Sequence, residues 1–277
     1  MTTRQDYTDS PPRYYVDKFQ RRLYRQVAQY MTLIDHLDDT LGERGEQIAE
    51  VLNLSADVVT DAELKDHAEK SCLIGLKVEF ELFFYIYSQL AMHRILERIE
   101  SAGKIPRRHQ KLLEVIDNKK AYFEAFVKRG FRDAKRLYVQ MAVPDYGLER
   151  MIKTLEKCGV DVIGAVTEED RRAFRSRIGG GNLTEPLEPW AQIRTAFQVR
   201  HAIEHSFSRI GAAFVEKAKP FWDHSTWRRY FVGHGGPRLG DRIVLHDRDI
   251  LATAAAMGVV SQRLWHVLVE LEGEGGA

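Results

Sequence analysis

The sequence predicts an all-α protein: a helical bundle with a small β-hairpin insertion and an N-terminal helical arm. Three observations predict it. Apolar residues recur at three- and four-residue steps over long stretches, the spacing of a helix face. Residues 73–96 are apolar nearly all round, as expected of a central bundle helix. Plausible strands occur only within residues 229–245.

After the Ser10-Pro11-Pro12 break, Tyr15, Phe19, Leu23, Val27, Tyr30 and Ile34 mark one face of a helix over Arg13–His36. Residues 38–53 continue helically with weaker periodicity. Thr60-Asp61-Ala62-Glu63 matches a capping box and opens a long helix towards Gly103, which Ile105-Pro106 breaks. Shorter helices are expected at 107–117, 119–130 and 145–158, then a charged one over Glu168–Arg177, closed by Gly179-Gly180-Gly181-Asn182. A further helix runs from Trp190 to about Ser206. Arg229–Val232 and Arg242–Leu245 flank a Gly-rich turn and read as a hairpin; Asp247 is a good N-cap for a last helix to Leu271. The expected organisation is an arm over 1–60, a helical domain over 61–271 and a tail over 272–277.

Composition narrows the classes. With 277 residues, 44% hydrophobic, 29% charged and 8 prolines, the chain is neither collagenous, mucin-like nor disordered. Forty-one basic and 40 acidic residues leave a net charge of +1, so any nucleic-acid surface must be local. Local basic runs occur at Arg21-Arg22-Arg25, Lys104–Lys111, Lys128–Lys135, Arg171–Arg177 and Arg228-Arg229. Cys72 and Cys158 form no Cys-x-x-Cys pair and read as buried small hydrophobes. The first residues have no apolar core of a secretory signal, and no apolar run approaches the ~20 residues of a membrane helix. A cytoplasmic location without a membrane partner is the expectation.

Chemistry concentrates in Phe197-Gln-Val-Arg200-His201-Ala-Ile-Glu204-His205-Ser-Phe207. At ~100° per residue, Arg200 falls within the stripe of Ile193, Ala196, Phe197, Ile203 and Phe207. A guanidinium on an apolar face needs a carboxylate or phosphate. Glu204, one turn on, is one partner; Glu79, which interrupts the apolar face of Cys72, Leu76, Phe83, Ile86 and Leu90, is another.

Three readings compete. In the first, RNA is cleaved without a metal: His205 moves the 2′-hydroxyl or leaving-group proton, and Arg200 holds the phosphate. RNA supplies its own nucleophile, so no cofactor is called for. In the second, His201-Ala-Ile-Glu204-His205 is the inverted zincin pattern, with Glu270 or Glu272 as third ligand. In the third, an Arg–Glu pair and two satisfied histidines are purely structural. Arg229 and His234 repeat the Arg-x4-His spacing with no apolar helix face around them, and there the structural reading holds. Gly233-His-Gly-Gly-Pro237 lacks the Lys-Ser/Thr ending of a P-loop and reads as a turn.

Arg200-His-Ala-Ile-Glu-His205 resembles the signature of the HEPN family (higher eukaryotes and prokaryotes nucleotide-binding domain): Arg, a polar residue, three more, then His, late in a helix of an all-α bundle. The resemblance covers roughly residues 60–271, with Arg209, Phe214-Val215, Leu239–Leu245 and the closing helix similar to family members. It implies a homodimeric, metal-independent endoribonuclease, typically a toxin or effector of toxin–antitoxin, abortive-infection or other anti-phage systems. Arg200 and His205 take the catalytic positions, His201 the polar one, with Glu79 and Glu204 supporting; two Arg–His pairs would meet in one composite site. RNA is the implied substrate, and an antitoxin or defence protein an implied partner. Phe207 stands where relatives controlled by nucleotidyltransferases carry a modifiable tyrosine.

Overall fold

The computed structural model describes residues 12–36, 61–102, 147–179, 186–205, 209–230 and 238–273. Seven α-helices occur among them: α1 (Pro12–Asp35), α2 (Asp61–Ala102), α3 (Leu148–Lys157), α4 (Glu168–Arg177), α5 (Pro189–His205), α6 (Ala212–Trp222) and α7 (Asp247–Gly273), with a 3₁₀ helix at Thr226–Tyr230. The protein is mostly helical, as the periodicity requires. The expected helices at 107–117 and 119–130, residues 38–53 and the boundary at residue 60 lie outside the described residues.

Two compact units share the three long helices. The first takes the described parts of residues 1–19, 80–167 and 261–277; the second those of 20–79 and 168–260. In the first, Phe19 of α1 stacks on Phe83 of α2 with ring centroids 4.5 Å apart, and Phe80, Phe84 and Tyr87 extend the aromatic column. Leu148, Met151, Ile152 and Leu155 bury one side of α3, at the three- and four-residue spacing the sequence shows. The buried Cys158 closes α3, and Gly159 carries a positive φ of 85°, the left-handed conformation that favours glycine after a helix end.

In the second unit, Leu73, Ala196, Val199, Ala202, Ile210, Phe214, Ala218, Trp222, Trp227, Ile243 and Leu245 form one core. The helix α6 was not among the sequence expectations; its Phe214, Ala218 and Trp222, four residues apart, are the buried face. Pro220, in its last turn, leaves that face unchanged because residues there no longer need to continue the helix. Cys72 is buried too, and burial pushes both thiols up to about 12, consistent with structural rather than reactive cysteines.

The hairpin expected over 229–245 does not form among the described residues. Arg229 and Tyr230 belong to the 3₁₀ helix, residues 231–237 lie outside the described ones, and Arg242 makes an isolated antiparallel bridge with Arg209. Gly240 at φ 89° makes the turn, and its N–H donates to Ile210 O at 2.9 Å. Ile243 and Leu245 are buried while Arg242, Val244 and His246 face outward, so the period of two is real although no strand forms. The long helix α2 is also less central than its apolar sequence suggests, since Val78 and Leu82 are exposed.

Carboxylates gather where α1, α2 and α7 meet in the second unit. Tyr30 Oη donates to Asp247 Oδ1, and Lys65 Nζ stands 4.0 Å from both Asp247 and Glu69. Glu69 is 4% exposed; burial, opposed by Lys65 and reinforced by Asp247, Asp66 and Asp249, pushes its carboxyl from 4.5 up to about 7. A raised carboxyl favours the folded state below the unfolded value, and that stability is lost as pH rises through the folded one. Thermal stability should therefore fall between about pH 4.5 and 7, and Glu69→Gln should flatten that slope and raise the melting temperature at pH 8 by a few degrees, as thermal melts across this range will show.

Candidate functional site

One buried amide sets the position of α5. Gln192, fully buried, accepts the Thr226 N–H at 2.9 Å and donates to Thr253 Oγ1 at 3.2 Å. Thr226 Oγ1 donates to Asp249 Oδ1 at 2.7 Å, and Thr253 Oγ1 to Asp249 O at 2.7 Å. The 3₁₀ helix and α7 are thereby fixed to the first turn of α5. The helix then runs to His205 with Ile193, Ala196, Val199 and Ala202 buried along it.

This burial moves Arg200 from where the sequence put it. The buried stripe in the last turns passes through Val199 and Ala202, so Arg200 and Phe197 lie on its flank instead of its middle. The small side chains meet the core closely, and the flank residues cover its edge with their longer ones. Arg200 is 21% exposed, and its Nη2 pairs with Glu204 Oε2, one turn along. The pairing expected between Glu79 and Arg200 does not form. Arg22 Nη1 of α1 takes Glu79 Oε2 at 3.0 Å, and Arg200 has a carboxylate on its own helix that no tertiary contact must supply.

His205 is the last residue of α5, and its side chain is 59% exposed. Its Nε2 lies 3.8 Å from Glu204 Oε2, the oxygen that Arg200 also holds. His201 packs a turn below, with ring centroids 4.6 Å apart at 53°. Desolvation holds the His201 imidazole below the ordinary value of 6.5; His205, Lys217 and Arg200 lower it further, and Glu204 opposes them. The structure thus brings Arg200, His201, Glu204 and His205 together and adds two cations the sequence reading missed. Lys217 of α6 acts electrostatically on His201, and Lys77 Nζ of α2 lies 5.6 Å from the Phe197 ring centre. Both lie outside the basic runs named above, and only the tertiary fold distinguishes them.

A cavity of about 290 Å³ lies among Val199, Phe214, Trp222, Trp227 and Ile243, with Arg242, Val244 and His246 also on its wall. Among the described residues, no three His, Cys, Asp or Glu side chains group as a metal ion requires. The zinc reading therefore has two histidines and a Glu204 already committed to Arg200, while Glu270 pairs with Arg263 at 3.7 Å. Among the described residues, no helix is long and apolar enough to cross a membrane. No protein-family model, curated protein or solved structure matches the chain.

Two outcomes follow from this geometry. Removing like charge should raise the His201 pKa, so Lys217→Ala and His205→Gln each move its imidazole titration upward, followed through the ring C–H resonances by NMR. Gln192→Leu strands the buried Thr226 N–H and should cost about 1–3 kcal/mol in denaturant unfolding.

Proposed function

We propose that this chain is a metal-independent endoribonuclease in which His205 transfers protons and Arg200 binds the scissile phosphate. The observation that supports the reading best is the placement of an exposed imidazole at the end of α5 beside a guanidinium that shares a carboxylate oxygen with it. A rigid helix, pinned at its start by Gln192, presents both groups, as an active-site pair needs. Histidine titrates near neutrality and serves as acid or base, while a guanidinium stabilises charge on a pentacoordinate phosphorane. Attack by the 2′-hydroxyl would yield a 2′,3′-cyclic phosphate and a 5′-hydroxyl.

The resemblance of Arg200–His205 to the HEPN signature extends the proposal to a HEPN-like bundle acting as a homodimer. Each protomer would contribute one Arg–His pair to a composite site, with His201 supporting. An RNA target, a cytoplasmic location and a role as toxin or effector in a prokaryotic anti-phage or toxin–antitoxin system, opposed by a partner protein, complete this reading. A second reading, a non-catalytic module of the same type that binds a partner protein or nucleotide, is favoured by the Arg200–Glu204 pair, which balances the guanidinium charge without any phosphate.

Incubation with RNA in excess chelator tests the proposal. Cleavage should persist in chelator and drop about 100-fold or more in Arg200→Ala and in His205→Ala, measured on a labelled oligoribonucleotide. Chelator-sensitive cleavage points to a metal enzyme, and an intact dimer that leaves RNA uncut points to the non-catalytic module.

A further inference from the structure

We propose that Glu204 is an internal competitor for substrate: its carboxylate occupies the phosphate position between Arg200 and His205, and a phosphodiester enters by displacing it. The inference rests on the ribonuclease reading for the identity of the incoming anion. Its geometric basis stands by itself, because one oxygen, Glu204 Oε2, pairs with Arg200 Nη2 and lies 3.8 Å from His205 Nε2. A carboxylate oxygen and a non-bridging phosphate oxygen make the same charge-assisted contact with a guanidinium. Whatever anion the pair binds must compete with that oxygen.

The contact is built to open. All three residues lie on the last turns of α5, so displacement needs a side-chain rotation of Glu204 and no movement of backbone. Glu204 and Arg200 are 23% and 21% exposed, enough for water and salt to screen the pair. The Arg200 Nε is shut from solvent and has no hydrogen-bond partner, so Glu204 leaves part of the guanidinium fork unserved. His205, 59% exposed, leaves the approach to Glu204 open from its side.

The test uses the full chain and a 2′-deoxy dinucleotide, which offers the phosphodiester but lacks the attacking hydroxyl. Glu204→Gln and Glu204→Ala should each bind it about tenfold more tightly than the wild-type protein by calorimetry, the loss of one charge-assisted competitor. Cleavage of RNA at sub-saturating concentration should rise in parallel. Circular dichroism and thermal melts confirm that both variants fold, and Arg200→Ala should abolish the gain. Unchanged or weaker binding in the folded variants overturns the inference. So does weaker cleavage in both variants alongside an active wild type, which would make Glu204 a participant in the reaction. Tighter binding without cleavage by any form upholds the internal competitor and instead removes the ribonuclease reading.

Discussion

Gln192 holds the second unit in register. Its side chain is fully buried, where an unpaired amide costs more than the hydrogen bonds it makes return in net stability. Both ends are therefore committed, the oxygen to the Thr226 N–H and the nitrogen to Thr253, and Asp249 ties those two threonines to each other. Three elements far apart in sequence meet at one residue of α5. Apolar packing among Ala196, Val199, Phe214, Trp222 and Trp227 brings α5, α6 and the 3₁₀ helix together. The amide adds a directional constraint, because its hydrogen bonds form only where Thr226 and Thr253 meet it.

What that register delivers is a helix end that carries charge. The core face of α5 narrows towards its C-terminus to Val199 and Ala202, leaving room on the flanks for Arg200, Glu204 and the two histidines. These groups then settle by short-range electrostatics. Glu204 pairs with Arg200, and His201 sits among His205, Lys217 and Arg200, which together with desolvation disfavour its proton. The result is a cluster in which one carboxylate stands among several cationic or protonatable groups. On the proposal above, anions would enter this cluster only as that single carboxylate gives way.

A second electrostatic cluster in the same unit works in the opposite sense. Asp66, Asp247 and Asp249 act on Glu69, with Lys65 opposing them, and Arg242 reaches Asp66 at 3.2 Å. Burial makes the Glu69 charge expensive, so the fold favours its protonated form over a range where an exposed carboxyl would be ionised. Tyr30 donates into this cluster through Asp247, and its hydroxyl is held strongly against ionisation by burial and that same bond. This cluster joins α1 to α7 through the Tyr30–Asp247 hydrogen bond.

The sequence by itself determined most of the described helices and grouped the candidate site residues. Helix spacing is a local property, so Asp61–Ala102, Leu148–Lys157, Glu168–Arg177, Pro189–His205 and Asp247–Gly273 follow closely from apolar periodicity, caps and breakers. Neighbours on one helix are equally local, and the spacing of Arg200, His201, Glu204 and His205 already brought them together. Tertiary structure decided what no spacing encodes. It gave Glu79 to Arg22, turned Arg200 to the flank of the buried stripe, made α6 from a stretch that showed no clear pattern, and bridged Arg242 to Arg209. It also selected Lys77 and Lys217 from among many basic residues. Each of these outcomes depends on which surfaces meet, and that is settled by shape, burial and hydrogen-bond satisfaction across the whole core.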